Sequence, residues 1–261
     1  MIEDGKILRN IAIKGDFRLI EFQSPEIAAK VLPGQFAHIK IHELRDRVLR
    51  RPFSIYDTGK NGRLSVVFKV VGEGTGILAG LKEGATCNII GPLGKPFSLP
   101  ESGKTPVIIA GGYGCAATYI LAKKSPSGII LIGARNEGEL ILVKEFESLG
   151  FEVRISTDDG SAGKKGLVTD LLKALIKEKK DRLGYLSFYG CGPHGMLTAA
   201  GKIIASAGLD GELSMDHLMC CGIGACFACV QKIKDKSSPE GWRYARTCKE
   251  GPVFKVSDVV F

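Results

Sequence analysis

Short apolar runs broken by turn residues fill the first hundred positions. Phe36–Ile41, Leu64–Val71 and Ala85–Ile90 are the clearest of them, each set between breaks that carry Gly, Pro or Asn. Short strands at that spacing predict a small antiparallel β-barrel over residues 1–100. From Lys104 the pattern changes. Pro106–Ala110 is a continuous apolar run, as in a strand buried on both faces, and it leads into Gly111-Gly112-Tyr113-Gly114 and a helix from Ala116 to Lys123. Further strands are predicted at Gly128–Ile132, Glu152–Ser156 and Tyr185–Tyr189, with helical segments between them such as Leu167–Lys179. Alternating strand and helix predicts an α/β unit with a parallel sheet over residues 101–211. Residues 212–261 hold a cysteine-rich loop and little else. The fold class is therefore multidomain, β plus α/β: a barrel, a parallel-sheet domain and a small C-terminal domain.

The cysteines give that last region its chemistry. Cys221, Cys226 and Cys229 are followed by Cys248, with gaps of four, two and eighteen residues. This is the plant-type [2Fe-2S] spacing. Two irons take two protein thiolates each, and a compact loop supplies three of the four, with Gly222 and Gly224 letting it curl. A zinc knuckle is the competing reading, but zinc sites commonly pair cysteines as two C-x2-C units, and the stretch has one. Cys220 adjoins Cys221 and would lengthen the first gap to five, so Cys221 is the expected ligand.

Composition narrows the setting. The N-terminal segment has no apolar stretch and starts with two acids, so it does not read as a signal peptide. No run of about eighteen apolar residues is present to cross a bilayer. Eight cysteines in 261 residues are then expected as reduced thiols or metal ligands in the cytoplasm. The net charge of +8 suits anionic cofactors or an acidic partner. It is spread along the chain rather than gathered in one block, which argues against nucleic acid.

Two further motifs carry chemistry. Arg51-Pro52-Phe53-Ser54 orders a cation for pyrophosphate, a rigid turn, an apolar ring and a small hydroxyl, as a flavin site needs. Gly72-Glu73-Gly74-Thr75-Gly76 sets main-chain donors and a hydroxyl at a helix start, and Gly91-Pro92-Leu93-Gly94 makes a tight closing turn. Each glycine cluster alone also reads as an ordinary hairpin turn. In the second region Gly111, Gly112 and Gly114 follow a buried strand and open a helix, an arrangement able to hold pyrophosphate, although not the G-x-G-x-x-G pattern. Thr157-Asp158-Asp159-Gly160-Ser161 ends another strand, where carboxylates would accept from ribose hydroxyls and repel a 2′-phosphate. That favours NAD over NADP, against the plain reading of a solvated turn. Cys191-Gly192-Pro193 puts a thiol at the same edge, or a small buried hydrophobe.

Arg51–Ser54, Gly91–Gly94, the turn at 111–114 and Cys191-Gly192-Pro193 with Met196 together resemble the ferredoxin-NADP reductase superfamily. Met219–Cys229, Cys248–Phe254, Thr157–Ser161 and Pro33–Phe36 closely resemble the electron-transfer subunits of class 1B dihydroorotate dehydrogenases. The resemblance spans nearly the whole chain. It implies FAD on the barrel, a [2Fe-2S] cluster in the C-terminal domain and an NAD site on the parallel sheet. It also implies an FMN-containing dihydroorotate dehydrogenase catalytic subunit as partner, in a heterotetramer of two plus two serving pyrimidine biosynthesis. By the same resemblance Arg51, Pro52, Phe53 and Ser54 meet the flavin and its pyrophosphate. Val67, Phe68 and Lys69 border it mainly through backbone, and Thr75 and Gly76 lie at the phosphates. Cys221, Cys226, Cys229 and Cys248 ligate the cluster. Gly111, Gly112, Gly114 and Asp159 meet NAD, and Cys191 lies near the nicotinamide. Ala110 and Ala117 stand where the family's turn has a further Gly and a Pro, so a methyl at 110 is expected to crowd the pyrophosphate.

Two other readings stay open on sequence alone. One is the flavin and iron-sulfur subunit of a related NAD(P)H-dependent complex, such as a ferredoxin-NADP reductase, sulfide dehydrogenase or hydrogenase partner. The other is a non-enzymatic, zinc-stabilised binding module.

Overall fold

The structure, a computed structural model, describes residues 1–41, 48–215 and 218–261. Its first unit comprises β1 (Ile2–Lys14), β2 (Phe17–Gln23), α1 (Pro25–Ala28), β3 (Phe36–Ile39), β4 (Arg51–Gly59), β5 (Arg63–Lys69), α2 (Glu73–Gly80) and β6 (Thr86–Leu93). The six strands close into an antiparallel barrel in the order β1-β2-β5-β4-β3-β6. Period-2 alternation fills it: Ile20 and Phe22 from β2, Leu64 and Val66 from β5, and Ile89 from β6 meet Ile55 and Ile39 in one core. Leu78 of α2 joins that core. The amide of Asn10 donates to the carbonyls of Leu78 and Leu81, satisfying groups that a helix end leaves unpaired.

The second unit runs β7 (Thr105–Gly111), α3 (Gly114–Lys123), β8 (Gly128–Ala134), α4 (Val143–Ser148), β9 (Phe151–Thr157), β10 (Lys164–Lys165), α5 (Val168–Glu178), β11 (Leu186–Cys191), α6 (His194–Ser206) and β12 (Gly211–Ser214). The sheet order is β10-β9-β8-β7-β11-β12-β15, parallel except at its last strand, β15 (Val253–Lys255). Within β7, Ile108 and Ala110 face α3 and α4, whereas Val107 and Ile109 face α5 and α6. Both faces are covered, which is why the strand reads as unbroken apolar sequence. The chain steps outward from β7 to β10 and returns on the other side at β11. The strand order therefore reverses between β7 and β11, where open α/β sheets bind ligands beyond the carboxyl ends of their strands.

Residues after Gly211 form more than the cysteine loop the sequence suggests. β12 pairs in parallel with β11, β13 (Val230–Lys234) pairs with β14 (Trp242–Arg246), and β15 returns to the main sheet beside β12. The hairpin is hard to see in sequence because its outward positions are charged or aromatic: Lys232 sits over the Trp242 ring at 4.0 Å. The C-terminal segment is also tied to the barrel, since the amide of Lys95 donates to the carbonyl of Gly251. The barrel in turn packs on the sheet through Tyr56 against Tyr119, with ring centroids 4.5 Å apart, and through ion pairs Asp57–Lys123 and Lys69–Glu139. Among the described residues no helix is long and apolar enough to cross a membrane.

Candidate flavin, nucleotide and cluster sites

One cavity gathers most of the residues expected at the flavin. β4 brings Arg51, Pro52, Phe53 and Ser54 to its wall, β5 brings Val67, Phe68 and Lys69, and Thr75 closes it from the start of α2. β3 holds β4 in place, with Phe36 opposite Ser54 and His38 opposite Pro52. The Thr75 hydroxyl accepts from the amides of Val71 and Gly72 at 2.9 and 3.1 Å and donates to the Gly72 carbonyl, fixing the turn that opens α2. Gly76 is not in the wall. A Cβ at Gly72 or at Gly76 would meet nothing within 4 Å, so main chain faces open space beside the first turn of the helix. An apolar wall, a guanidinium at one end and an uncrowded glycine turn at a helix start fit a flavin bearing a pyrophosphate.

The far wall of this cavity comes from other parts of the chain: Tyr113 from the glycine turn, Cys191 and Ser214 from strand ends, and Met219 and Pro252 from the C-terminal region. Sequence reasoning passed over Tyr113, Ser214, Met219 and Pro252 as site residues. A lone aromatic inside a glycine turn was the one available signal for Tyr113. Cys191, 2 % exposed, belongs to this wall. Burial, followed by the neighbouring Cys191 thiol, pushes the Cys115 thiol up to about 12, so Cys115 stays a neutral buried side chain.

The nucleotide cleft lies at the carboxyl edge of the sheet. Gly111 and Gly112 line it together with Gly133, Arg135, Asp158 and Pro193. Gly112 has φ +55 with open space where a Cβ would be, which leaves the main chain free to approach a ligand. Gly114 does something else. A Cβ there would sit 2.1 Å from the carbonyl oxygen of Cys191, so this glycine lets α3 pack against the end of β11. Asp159 is outside the cleft lining. Its carboxylate accepts from the Ser161 hydroxyl and amide at 2.6 and 2.9 Å, and these bonds hold it below the usual carboxylate range. Asp158 is the carboxylate in the cleft, and Arg135 is a cation there that the sequence reading did not single out. The Ala110 methyl is fully buried in the core between the sheet, α3 and the barrel. Tyr113 and Lys69 each line both the flavin cavity and this cleft, so the two sites share a boundary.

The cysteine loop curls through Gly222 at φ +70, Gly224 at φ +87 and Phe227 at φ +56. That turn directs the amides of Ala225 and Cys226 at the Cys221 sulfur, at 3.3 and 3.4 Å. Burial pushes the Cys221 thiol up, but main-chain donors at Ile223, Cys226 and Ala225 and the Cys226 thiol outweigh it and bring it down to about 6. Cys229 and Cys248 are buried together: the Cys248 amide points at the Cys229 sulfur at 3.5 Å. Burial and then Cys229 push the Cys248 thiol up to about 12, with the Cys221 thiol adding to the shift. Arg246 braces the loop, donating to the Gly224 carbonyl at 2.9 Å and to Glu250 at 3.0 Å. Cys220 lines a pocket with Leu49, Arg50 and Leu218 that adjoins the flavin cavity through Arg51, Pro52, Tyr113 and Met219. Four thiols in two neighbouring pairs, with N–H groups aimed at sulfur, fit a two-iron cluster that takes two thiolates per iron.

The cluster loop and the flavin cavity share an apolar wall. Phe36 and Met219, which line the cavity, pack with Cys229 and Cys248. Under the loop lies His38, fully buried, with neither ring nitrogen hydrogen-bonded. Desolvation, then Arg50 and Arg51, lowers its pKa to about 4, so the ring is neutral.

Comparison with known proteins agrees with this geometry. Residues 4–97 match the family model of the oxidoreductase FAD-binding domain, and residues 216–260 match the iron-sulfur cluster binding domain of dihydroorotate dehydrogenase B. The dihydroorotate dehydrogenase B (NAD(+)) electron transfer subunit of Fusobacterium nucleatum is 38% identical over 99% of this chain and 98% of its own length. The subunit of the same name from Desulforamulus reducens is 36% identical over the same shares. A chain from the structure of an NADH-dependent reduced ferredoxin-NADP oxidoreductase, studied for flavin-based electron bifurcation, superposes with a TM-score of 0.83 at 30% identity, covering 98% of this chain and 89% of that one. Barrel, sheet, cysteine loop and full-length relatives converge, and the chain belongs to the family of dihydroorotate dehydrogenase B electron transfer subunits.

Proposed function

We propose that this chain carries electrons between an FMN-containing dihydroorotate dehydrogenase catalytic subunit and NAD⁺ in the cytoplasm, in a two-plus-two heterotetramer serving pyrimidine biosynthesis. The observation that carries the reading is the shared wall: Phe36 and Met219 separate the flavin cavity from Cys229 and Cys248 by one layer of side chains. Tyr113 and Lys69 border both the flavin cavity and the nucleotide cleft. The flavin cavity thus shares lining residues with the nucleotide cleft and packs against the cluster cysteines, which supports an electron relay through the flavin.

FAD supplies the exchange between one-electron and two-electron chemistry, and the protein positions and insulates it. Arg51 and the main chain around Gly72 and Gly76 would hold the pyrophosphate, while Phe53, Val67 and Phe68 exclude water from the ring. Cys221, Cys226, Cys229 and Cys248 would hold the cluster. Gly111 and Gly112 would receive the NAD pyrophosphate, with Asp158 on the ribose side disfavouring a 2′-phosphate. No acid or base is required from the protein for hydride exchange between flavin and nicotinamide, and the buried, neutral Cys115 is consistent with that.

Mixing the purified chain with a dihydroorotate dehydrogenase catalytic subunit tests the proposal. Dihydroorotate-dependent NADH formation is expected only when both are present, and activity from this chain alone would refute the subunit role. A second reading is favoured by the 30% identical chain of the ferredoxin-NADP oxidoreductase: a flavin and iron-sulfur subunit whose partner carries further clusters. Failure of orotate-linked turnover, with NADH-dependent ferredoxin reduction in its place, would select it.

A further inference from the structure

His38 is the least explained polar side chain among the described residues. It sits in β3, fully buried, and both ring nitrogens lack a hydrogen-bond partner. An unpaired polar group so placed is costly, and native structures rarely leave one without a reason. Its surroundings supply no partner: the neighbouring ring is Phe36, edge-on at 6.0 Å, and the strand opposite presents Pro52, which has no N–H.

The direction of the ring is informative. A Cβ placed on Gly222 would lie 2.6 Å from Nδ1, 2.6 Å from Cε1 and 2.8 Å from Nε2 of His38. All three atoms of the nitrogen-bearing edge therefore face the turn that directly follows Cys221. Gly222 also has φ +70, so a side chain is excluded there twice over, by backbone conformation and by the ring. A neutral imidazole carries one N–H to donate. An anionic iron-sulfur centre is the acceptor that a buried, otherwise unpaired donor beside its ligand loop would serve, and hydrogen bonds to sulfur are a principal means by which proteins set cluster potentials.

We propose that His38 is a positioning residue for the cluster: its imidazole N–H donates to the sulfur of the cluster or of Cys221, raises the reduction potential, and couples the cluster loop to the β3–β4 wall of the flavin cavity. The inference rests on the two-iron reading of the cysteine loop, which iron and sulfide analysis of the same samples tests separately.

The direct experiment is pulsed EPR of the dithionite-reduced wild-type chain, expressed with [15N]histidine. A histidine nitrogen coupling and an exchangeable proton coupling at the cluster are expected, and their absence from a sample with full iron and sulfide overturns the proposal. The second measurement is the cluster midpoint potential of His38→Phe, which keeps a ring of similar shape without nitrogen, and of His38→Gln, which keeps an N–H. At a fixed poise near the wild-type midpoint, the reduced-to-oxidised ratio is expected to fall about tenfold in the Phe variant, a shift of ~59 mV for one electron. The histidine coupling should vanish in both variants, while the Gln variant recovers most of the potential. An unchanged potential in a fully loaded His38→Phe would overturn the proposal, and so would a histidine coupling that survives the substitution. Should neither variant assemble a cluster, the wild-type spectrum alone decides.

Discussion

At the scale of single residues, neighbours in sequence have different fates. Cys221 receives two main-chain amides on its sulfur, whereas Cys220 lines the pocket that adjoins the flavin cavity. Cys221→Ser is therefore expected to lose the cluster and Cys220→Ser to keep it, read as iron content and visible absorbance; loss only in the second would reverse the assignment. Gly114 teaches a similar lesson. Its sequence context reads as phosphate-binding, but the 2.1 Å approach of a would-be Cβ to the Cys191 carbonyl makes it a packing glycine. Gly114→Ala gains about 1 kcal/mol in helix propensity and meets a backbone atom that no rotamer change can move aside. A net loss of about 2 kcal/mol is expected from denaturant unfolding, the top of the usual overpacking range less that gain. An unchanged midpoint would mean that the α3–β11 contact is looser than described. Arg51→Gln should weaken FAD binding about tenfold, since a hydrogen bond to a charged group contributes about 1.5 kcal/mol or more. Flavin retention during dilution measures it.

Elements carried most of the information available in sequence. The unbroken apolar run of β7 announced a strand buried on both faces, and the short runs before residue 100 announced a barrel, because burial on one or two faces leaves a direct periodic trace. β13, β14 and β15 left no such trace. β15 spans only Val253–Lys255 and is specified by pairing with β12 far away in sequence, and the hairpin's charged positions hide its alternation. The site divided in the same way. Arg51–Ser54 and the cysteine spacing are local patterns, whereas Tyr113, Met219 and Pro252 reach the flavin cavity only through tertiary packing. Asp158 and Asp159 differ because the second turns back onto Ser161, a choice of the loop rather than of residue type. An element-level test uses the tie between β9 and α5. Arg154 donates to Glu178 at 2.7 Å, and these bonds, followed by one from Lys179, depress the Glu178 carboxyl to about 2. A carboxylate with a lowered folded-state pKa stabilises above its unfolded value and loses that contribution as pH falls through the folded one. The difference in Tm between wild type and Glu178→Gln is thus expected to be constant above about pH 5 and to close as the pH approaches 2, and to shrink with salt because the pair is exposed. A difference that persists at pH 2 would contradict the ion pair as its source.

For the whole molecule, the arrangement of the three units matters more than any one of them. The C-terminal segment adds β15 to the sheet, hydrogen-bonds to the barrel at Lys95 and supplies Met219 and Pro252 to the flavin cavity. The cluster loop is thereby held against the flavin site by the same packing that completes the sheet. Nothing in a single apolar pattern encodes that; it follows from burying Phe36, Met219, Cys229 and Cys248 together. The central claim is that one chain carries flavin, cluster and nucleotide sites in electronic contact. Its most direct test is the visible spectrum of anaerobically purified protein, with flavin, iron, sulfide and zinc content, before and after NADH. One FAD, two irons and two sulfides per chain are expected, with NADH bleaching both the flavin and the cluster bands. Zinc in place of iron, or a flavin that NADH bleaches while the cluster stays oxidised, although a chemical reductant of matched potential reduces that cluster, would contradict the account.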